Sequence, residues 1–122
     1  MTDSPAESIS LARLDSLAEE IGDRDIVRQA VQSFLDELVE RLQAIRVTIA
    51  AGDPAPVKKA AHALGSPAAM LGAISVDRIC RSMQDRSEDG PAVLGPLLCE
   101  LDAAAARTVA ELRGYLAESA AT

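Results

Sequence analysis

The chain has 122 residues, of which 48% are hydrophobic and 2% aromatic, and its formal net charge is -7 at pH 7. This length suffices for one compact domain with its own core and excludes two, and the alanine- and leucine-rich composition favours packed helices over sheets. The acidic charge argues against a nucleic-acid partner, because phosphate backbones are bound through clustered lysines and arginines.

Two helices are predicted in the first half of the chain. Residues 1–8 are expected to form a disordered tail, after which apolar residues recur at helical spacing from Ile9 until Gly22 ends the run. Asp23 is the candidate N-cap of a long second helix that ends at Gly52. The apolar positions assigned to that helix are Ile26, Ala30, Phe34, Leu38, Leu42, Ile45 and Ile49.

A third helix is predicted to start at Asp53, as its N-cap, and Pro54. Proline suits the first helical position because its missing N–H is not needed there. This helix should run to about Leu71.

Two further helices follow a predicted corner at Gly72 and Ala73. Ser75 is the candidate N-cap of the fourth helix, and the polar stretch RSEDG ends it. The fifth helix begins near Pro91 or Pro96 and carries apolar positions at Leu97, Leu101, Ala105, Thr108, Leu112 and Tyr115.

Short connections between long amphipathic helices favour antiparallel neighbours. We therefore predict an all-α fold, an up-down-up-down four-helix bundle with an additional short N-terminal helix, over residues 9–118. No run of about 18 apolar residues is present, and the start MTDSPAES lacks the basic and apolar regions of a signal peptide. We expect a cytoplasmic protein that acts as a monomer.

The two cysteines, Cys80 and Cys99, both lie in apolar helical contexts. This placement favours two reduced core thiols over a disulfide. One histidine and two distant cysteines make a poor zinc site, so we expect no bound metal.

The single histidine, His62, is predicted to face solvent. At about 100° per residue the apolar positions of the third helix form one stripe, and His62 lies roughly 150° from its centre. The residues on its face are Ala55, Lys58, Lys59, Gly65, Ser66 and Ala69, so the surface beyond it carries only small side chains. An open surface suits approach by a macromolecular partner, whereas a small-molecule enzyme would hold the histidine in a pocket. An exposed histidine without a role is the alternative.

Two residues on other helices are expected near His62, and one exposed residue lies on its own helix. The corners predicted at Gly52 and Gly72 bring Arg41 and Gln84 to its level. Met70 lies about 130° from the apolar stripe. It is either an exposed contact for a partner or a helix-end residue that covers the corner of the bundle.

The motif around His62 resembles that of the histidine-containing phosphotransfer (HPt) domains of two-component phosphorelays. That family carries the pattern Ala-His-x-Leu-Lys-Gly-Ser-Ser, with Gly-Ala ten and eleven residues after the histidine. The matching residues are Ala61, His62, Leu64, Gly72 and Ala73. The stretches IAAGD and ICRSMQ also resemble family segments, and the resemblance covers about residues 9–117. The chain departs from it at Gly65, Ser66 and Pro67, where the family usually has Lys, Gly and Ser or Ala.

The resemblance implies that His62 accepts a phosphoryl group from an aspartyl phosphate on a receiver domain and passes it to the aspartate of another receiver. The chain would then be a phosphocarrier and not an enzyme. It shows no Gly-rich nucleotide loop, so we expect neither ATP binding nor autokinase activity, and Mg²⁺ would come from the receiver. The residues expected beside the phosphoryl group are Lys58, Lys59, Gly65, Ser66 and Gln84, and those expected to dock the receiver are Arg41, Ala69 and Met70.

Gly65 leaves the phosphoryl group without the lysine that the family usually supplies. Helical side chains tilt toward the N-terminus, so we expect Lys58 or Lys59, one turn before His62, to replace that cation. The alternative is that both lysines are ordinary solvated residues.

Two functions other than the phosphorelay role remain open as alternatives at this point. The chain is either a silent receiver-binding module that sequesters a response regulator or an unrelated helical adaptor in which His62 is idle. The dimerisation domain of a sensor kinase fits less well, because its histidine is normally followed by an acidic residue and here Ala63 follows.

Overall fold

A computed structural model describes residues 9–120, and these residues form five α-helices and no strand. The helices are α1 (Leu11–Ile21), α2 (Arg24–Ala51), α3 (Pro54–Met70), α4 (Ile74–Asp85) and α5 (Pro91–Ala120). The predicted tail over residues 1–8 lies outside the described residues. Within residues 9–120, no helix combines the length and apolar character that crossing a membrane requires.

Four boundaries of the first three helices lie at the residues that the sequence predicts. Asp23 and Asp53 each accept a hydrogen bond from the backbone N–H two residues later, which satisfies a donor that the first turn leaves free. α1 and α2 end at Gly22 and Gly52, each with φ of 80°, a conformation that costs a residue with a Cβ. The boundaries predicted at these four residues are confirmed.

The predicted cap of α4 is wrong. Ser75 lies inside the helix and is buried, and the N-cap is Ala73, which makes no side-chain cap hydrogen bond. The N–H of Ala73 instead donates to the carbonyl of Ala68 across the corner at 2.8 Å. This backbone hydrogen bond forms the corner without a side-chain cap, and α4 begins directly after it.

The start of α5 is at Pro91, so Pro96 lies inside the helix. A proline there removes the hydrogen bond to the carbonyl of Ala92. Ala92 is exposed, so water can hydrogen-bond that carbonyl and the helix continues.

The first two turns of α2 bury a different face from the predicted one. Val27 and Val31 are fully buried, whereas Ile26 and Ala30 are exposed. A run of four-residue steps drifts by about 40° per step around a helix with 3.6 residues per turn. The predicted positions follow such a run, whereas the buried ones mix steps of three and four, which keeps them on one face.

The helices contact one another in a closed ring: α2 with α3, α3 with α4, α4 with α5, and α5 with α2. α1 packs against α2. Its start is tied to the corner between α3 and α4, where the N–H of Ser10 donates to the carbonyl of Gly72 at 2.7 Å and Nε of Arg13 donates to the carbonyl of Met70 at 3.0 Å. The corner that follows the histidine helix is therefore held by a third element.

Both cysteines are free thiols, but they differ in burial. Cys80 is fully buried, as predicted. Cys99 is exposed, so its prediction as a core residue is wrong. Leu98 and Leu101 on either side of it turn toward the core instead, which leaves position 99 on the solvent side of α5.

Candidate functional site

His62 lies near the middle of α3 and is exposed, as its helical phase predicts. The opposite face of α3 enters the core through Val57, Ala61, Leu64 and Ala68. Because these four residues fix the rotation of the helix, the imidazole is held on the surface and not in a pocket.

The surface around His62 is positively charged and otherwise small. Lys58, Lys59 and Ser66 are exposed, and Ala69 is half-buried. The sequence of α3, PAPVKKAAHALGSPAAM, contains two lysines and no carboxylate, although the whole chain has a net charge of -7. α3 is thus a cationic helix in an acidic protein.

Gly65 does not lie on the exposed face, so that part of the sequence prediction is wrong. It is buried between α3 and α4, and a Cβ built on it would lie 3.0 Å from Cβ of Cys80 and 3.9 Å from Nε2 of Gln84. Gly65 is one turn after His62 but rotated by about 60° toward α4. The glycine allows α3 and α4 to approach closely, and the Cβ of a lysine there would crowd the side chain of Cys80.

Gln84, near the C-terminal end of α4, lies beside Gly65 of α3, as the predicted hairpin of the two helices requires. Its side-chain amide is half-buried beside Gly65, one turn from His62. Next to it along α4, burial and then the negative charge of Asp77 raise the pKa of the Cys80 thiol from 9.0 to about 12. Cys80 is therefore protonated at neutral pH and buried, which leaves it unsuited to act as a nucleophile in this region.

Arg41 reaches α3 from α2, also at the predicted level. Its Nη1 donates to the carbonyl of Ala63 at 3.1 Å, while Nη2 and Nε donate to Oε1 of Glu37 at 2.6 and 3.2 Å. The sequence indicates the height of this arginine but not its acceptor, which lies on the residue directly after His62.

Met70 is 59% exposed, in agreement with its helical phase, and its role as a partner contact stays a prediction. It lies on the rim of a groove of about 210 Å³ between α2 and α3. The groove is lined by Ala30, Ser33, Phe34, Glu37, Arg41, Pro67, Met70 and Leu71. An apolar side chain here is accessible on the same helix as His62.

Comparison with known proteins identifies a family in which this helical arrangement is expected. The family model described as the Hpt domain matches residues 29–121, which is most of the chain. The chain belongs to the Hpt domain family. Membership gives this Hpt domain a phosphotransfer role in two-component signalling, and the resemblance noted in the sequence is confirmed.

The fold of this Hpt domain is similar to the crystal structure of histidine-containing phosphotransfer protein B (HptB) from Pseudomonas aeruginosa PAO1. The TM-score is 0.82 at 18% sequence identity, and the match covers 93% of this chain and 98% of that one. At this identity the similarity concerns the fold. Among curated proteins, no significant match to the chain is found.

Proposed function

We propose that this Hpt domain is a phosphorelay intermediate in which His62 accepts a phosphoryl group from the aspartyl phosphate of a receiver domain and passes it to the aspartate of another receiver. The observation that carries the proposal is the exposure of His62 on a helix whose other face is locked in the core. A partner's active site can reach the ring because the side chains beyond it on α3 are small.

The transfer needs only one nucleophile from this chain. A nitrogen of the neutral imidazole forms a bond to phosphorus while the bond between phosphorus and the aspartyl oxygen breaks, and the carboxylate leaves with the electron pair. The reverse reaction on a second receiver regenerates the free histidine. Mg²⁺, which neutralises charge on the phosphoryl oxygens, is carried by the receiver in this scheme, and this chain neither binds ATP nor phosphorylates itself.

Lys58 and Lys59 supply the local positive charge for the phosphoryl group. Both are exposed one turn before His62, and within the described residues neither forms an ion pair that would neutralise it. Gln84 contributes a neutral amide donor from α4. Ser66 keeps the approach to the ring open, while Gly65 lets α4 come close enough to place Gln84 there.

The receiver docks along the exposed side of α3 that includes Ala69 and Met70. An exposed methionine provides an adaptable apolar contact. Met70→Glu should therefore weaken receiver binding several-fold, as measured by calorimetry, while Val39→Glu, at another exposed apolar residue on α2, should not. Equal affinities for the two variants would argue that Met70 only covers the corner of the bundle.

The closed ring of helix contacts supports an up-down-up-down four-helix bundle with α1 as an additional element. We propose that the domain acts as a cytoplasmic monomer in this arrangement. Size-exclusion chromatography with light scattering tests the oligomeric state directly.

A silent receiver-binding module is the second candidate, and the absence of the usual lysine at Gly65 favours it. The two candidates are separated by incubating the protein with a panel of phosphorylated receivers and following the label. Transfer predicts acid-labile, alkali-stable label on the wild type and none on His62→Gln, with unchanged helical signal and melting temperature. Receiver binding without any label on the wild type would identify the silent module and contradict the phosphorelay proposal.

A further inference from the structure

Pro67 lies inside α3, five residues after His62, and leaves one backbone group of that helix without its usual partner. In a regular helix the N–H of residue 67 would donate to the carbonyl of Ala63. Proline has no N–H, and its ring also crowds that carbonyl. The carbonyl of the residue directly after His62 therefore needs a donor from elsewhere.

Arg41 provides this donor from α2. Its Nη1 lies 3.1 Å from the carbonyl oxygen of Ala63, and Glu37 holds the other side of the guanidinium through Nε and Nη2. A hydrogen bond from a charged donor is stronger than one from a neutral backbone N–H, which it replaces here. The side chain of Arg41 is 35% exposed, so this contact is partly shielded from water.

The helix continues past the proline. α3 continues to Met70, and the N–H of Leu71 donates to the carbonyl of Pro67 at 3.1 Å. Such a proline commonly kinks or breaks a helix because it removes one hydrogen bond and its ring clashes with the carbonyl four residues earlier. Here the turn between His62 and Pro67 is linked to α2 by the hydrogen bond from Arg41 to the carbonyl of Ala63.

We propose that Arg41 is a positioning residue for His62, acting through the carbonyl of Ala63. It replaces the backbone donor that Pro67 removes, and so keeps the turn that carries the imidazole aligned for the receiver. The guanidinium is engaged within the domain, so Arg41 acts here by fixing α3 and not by contacting the receiver. This inference rests on the proposed phosphotransfer function.

The proposal makes Arg41 dispensable once residue 67 regains an N–H. Arg41→Ala should lower the maximal rate of phosphotransfer at saturating receiver by about threefold to tenfold, the factor that corresponds to losing one net hydrogen bond. The receiver concentration that gives half the maximal rate should not change. Pro67→Ala alone should transfer like the wild type, and Arg41→Ala combined with Pro67→Ala should recover to within about twofold of it.

Arg46→Ala is the matched control, because Arg46 lies on the same helix but pairs with Asp102 on α5. It should transfer like the wild type. The ring resonances of His62, followed by NMR in the free protein, should shift in Arg41→Ala and return in the double variant.

Three other results would contradict one of the two proposals, and they can be told apart. A raised half-saturating concentration in Arg41→Ala that Pro67→Ala does not correct would show that Arg41 docks the receiver, and would overturn the positioning role. Unchanged His62 resonances together with unchanged transfer would overturn it as well. If the wild type accepts no label, the phosphorelay proposal fails, and the resonances alone still decide whether Arg41 positions the ring.

Discussion

Close packing at Gly65 can be measured with one added methyl group. In Gly65→Ala the new Cβ would lie 3.0 Å from Cβ of Cys80, closer than the contact distance of two carbon atoms, about 3.5–4.0 Å. Gly114 in α5 provides the comparison, because a Cβ there would meet nothing within 4 Å. Both substitutions replace a helical glycine by alanine and gain about 1 kcal/mol in helix propensity. Their difference therefore isolates the contact between α3 and α4.

Overpacking a core by a methyl group costs about 1–3 kcal/mol. We expect Gly114→Ala to be stabilised by up to about 1 kcal/mol and Gly65→Ala to lie about 1–3 kcal/mol below it. Gly65→Lys, which introduces the residue usual in the family, carries the same Cβ and should be at least as unstable as Gly65→Ala.

Urea titration at pH 7 measures these free energies of unfolding, and thermal melts should separate the two alanine variants by about 4–12 °C. Cys80→Ala should not rescue Gly65→Ala, because the contact is with the Cβ that alanine retains. Equal stabilities for Gly65→Ala and Gly114→Ala would refute the argument that the glycine is required for the approach of α4.

The remaining predictions concern the charged surface, the open approach and the buried thiol. Ser66→Phe should stay folded yet transfer phosphoryl groups at least several-fold more slowly, since a ring one turn from the acceptor holds the receiver away; transfer at the wild-type rate would contradict this. The double variant Lys58→Ala, Lys59→Ala should shorten the phosphohistidine half-life a few-fold at low salt and less at high salt, because exposed charge pairs are worth roughly 0.2–1 kcal/mol and are screened. Iodoacetamide should alkylate Cys99 in the folded protein and Cys80 only after unfolding. Burial, followed by the charge of Asp77, raises the pKa of Cys80 to about 12 from 9.0, so the unfolded thiol ionises first and the free energy of unfolding should fall as pH rises from about 9 to 12. Replacing Cys80 by alanine should remove that part of the pH dependence.

Local signals in the sequence account for much of the fold. Helix ends are set by local contacts: Asp23 and Asp53 accept hydrogen bonds from the N–H two residues later, and Gly52 adopts a positive φ. The positions of these residues in the sequence are therefore enough to predict the helix ends. The exposure of His62 also follows from local periodicity, because four core residues set the phase of α3.

The features that the sequence does not reveal depend on contacts between helices. A glycine carries no apolar or polar signal, so the burial of Gly65 is known only when α4 is in place beside it. The acceptor of Arg41 lies 22 residues away. Pro67 does signal that the carbonyl of Ala63 loses a partner, but not which helix provides the replacement.

The absence of carboxylates from α3 gives the molecule an electric dipole. α3 carries two lysines and no carboxylate, whereas α1 and α5 each carry two more carboxylates than arginines, and in α2 and α4 the two signs balance. An anionic surface that approaches α3 is therefore attracted, whereas one that approaches α1 or α5 is repelled. Such a field raises the rate of productive encounters without tightening the final complex, and its reach shrinks to about 8 Å at physiological ionic strength. If the proposed function holds, the helix that carries His62 also sets how fast an anionic partner finds the domain.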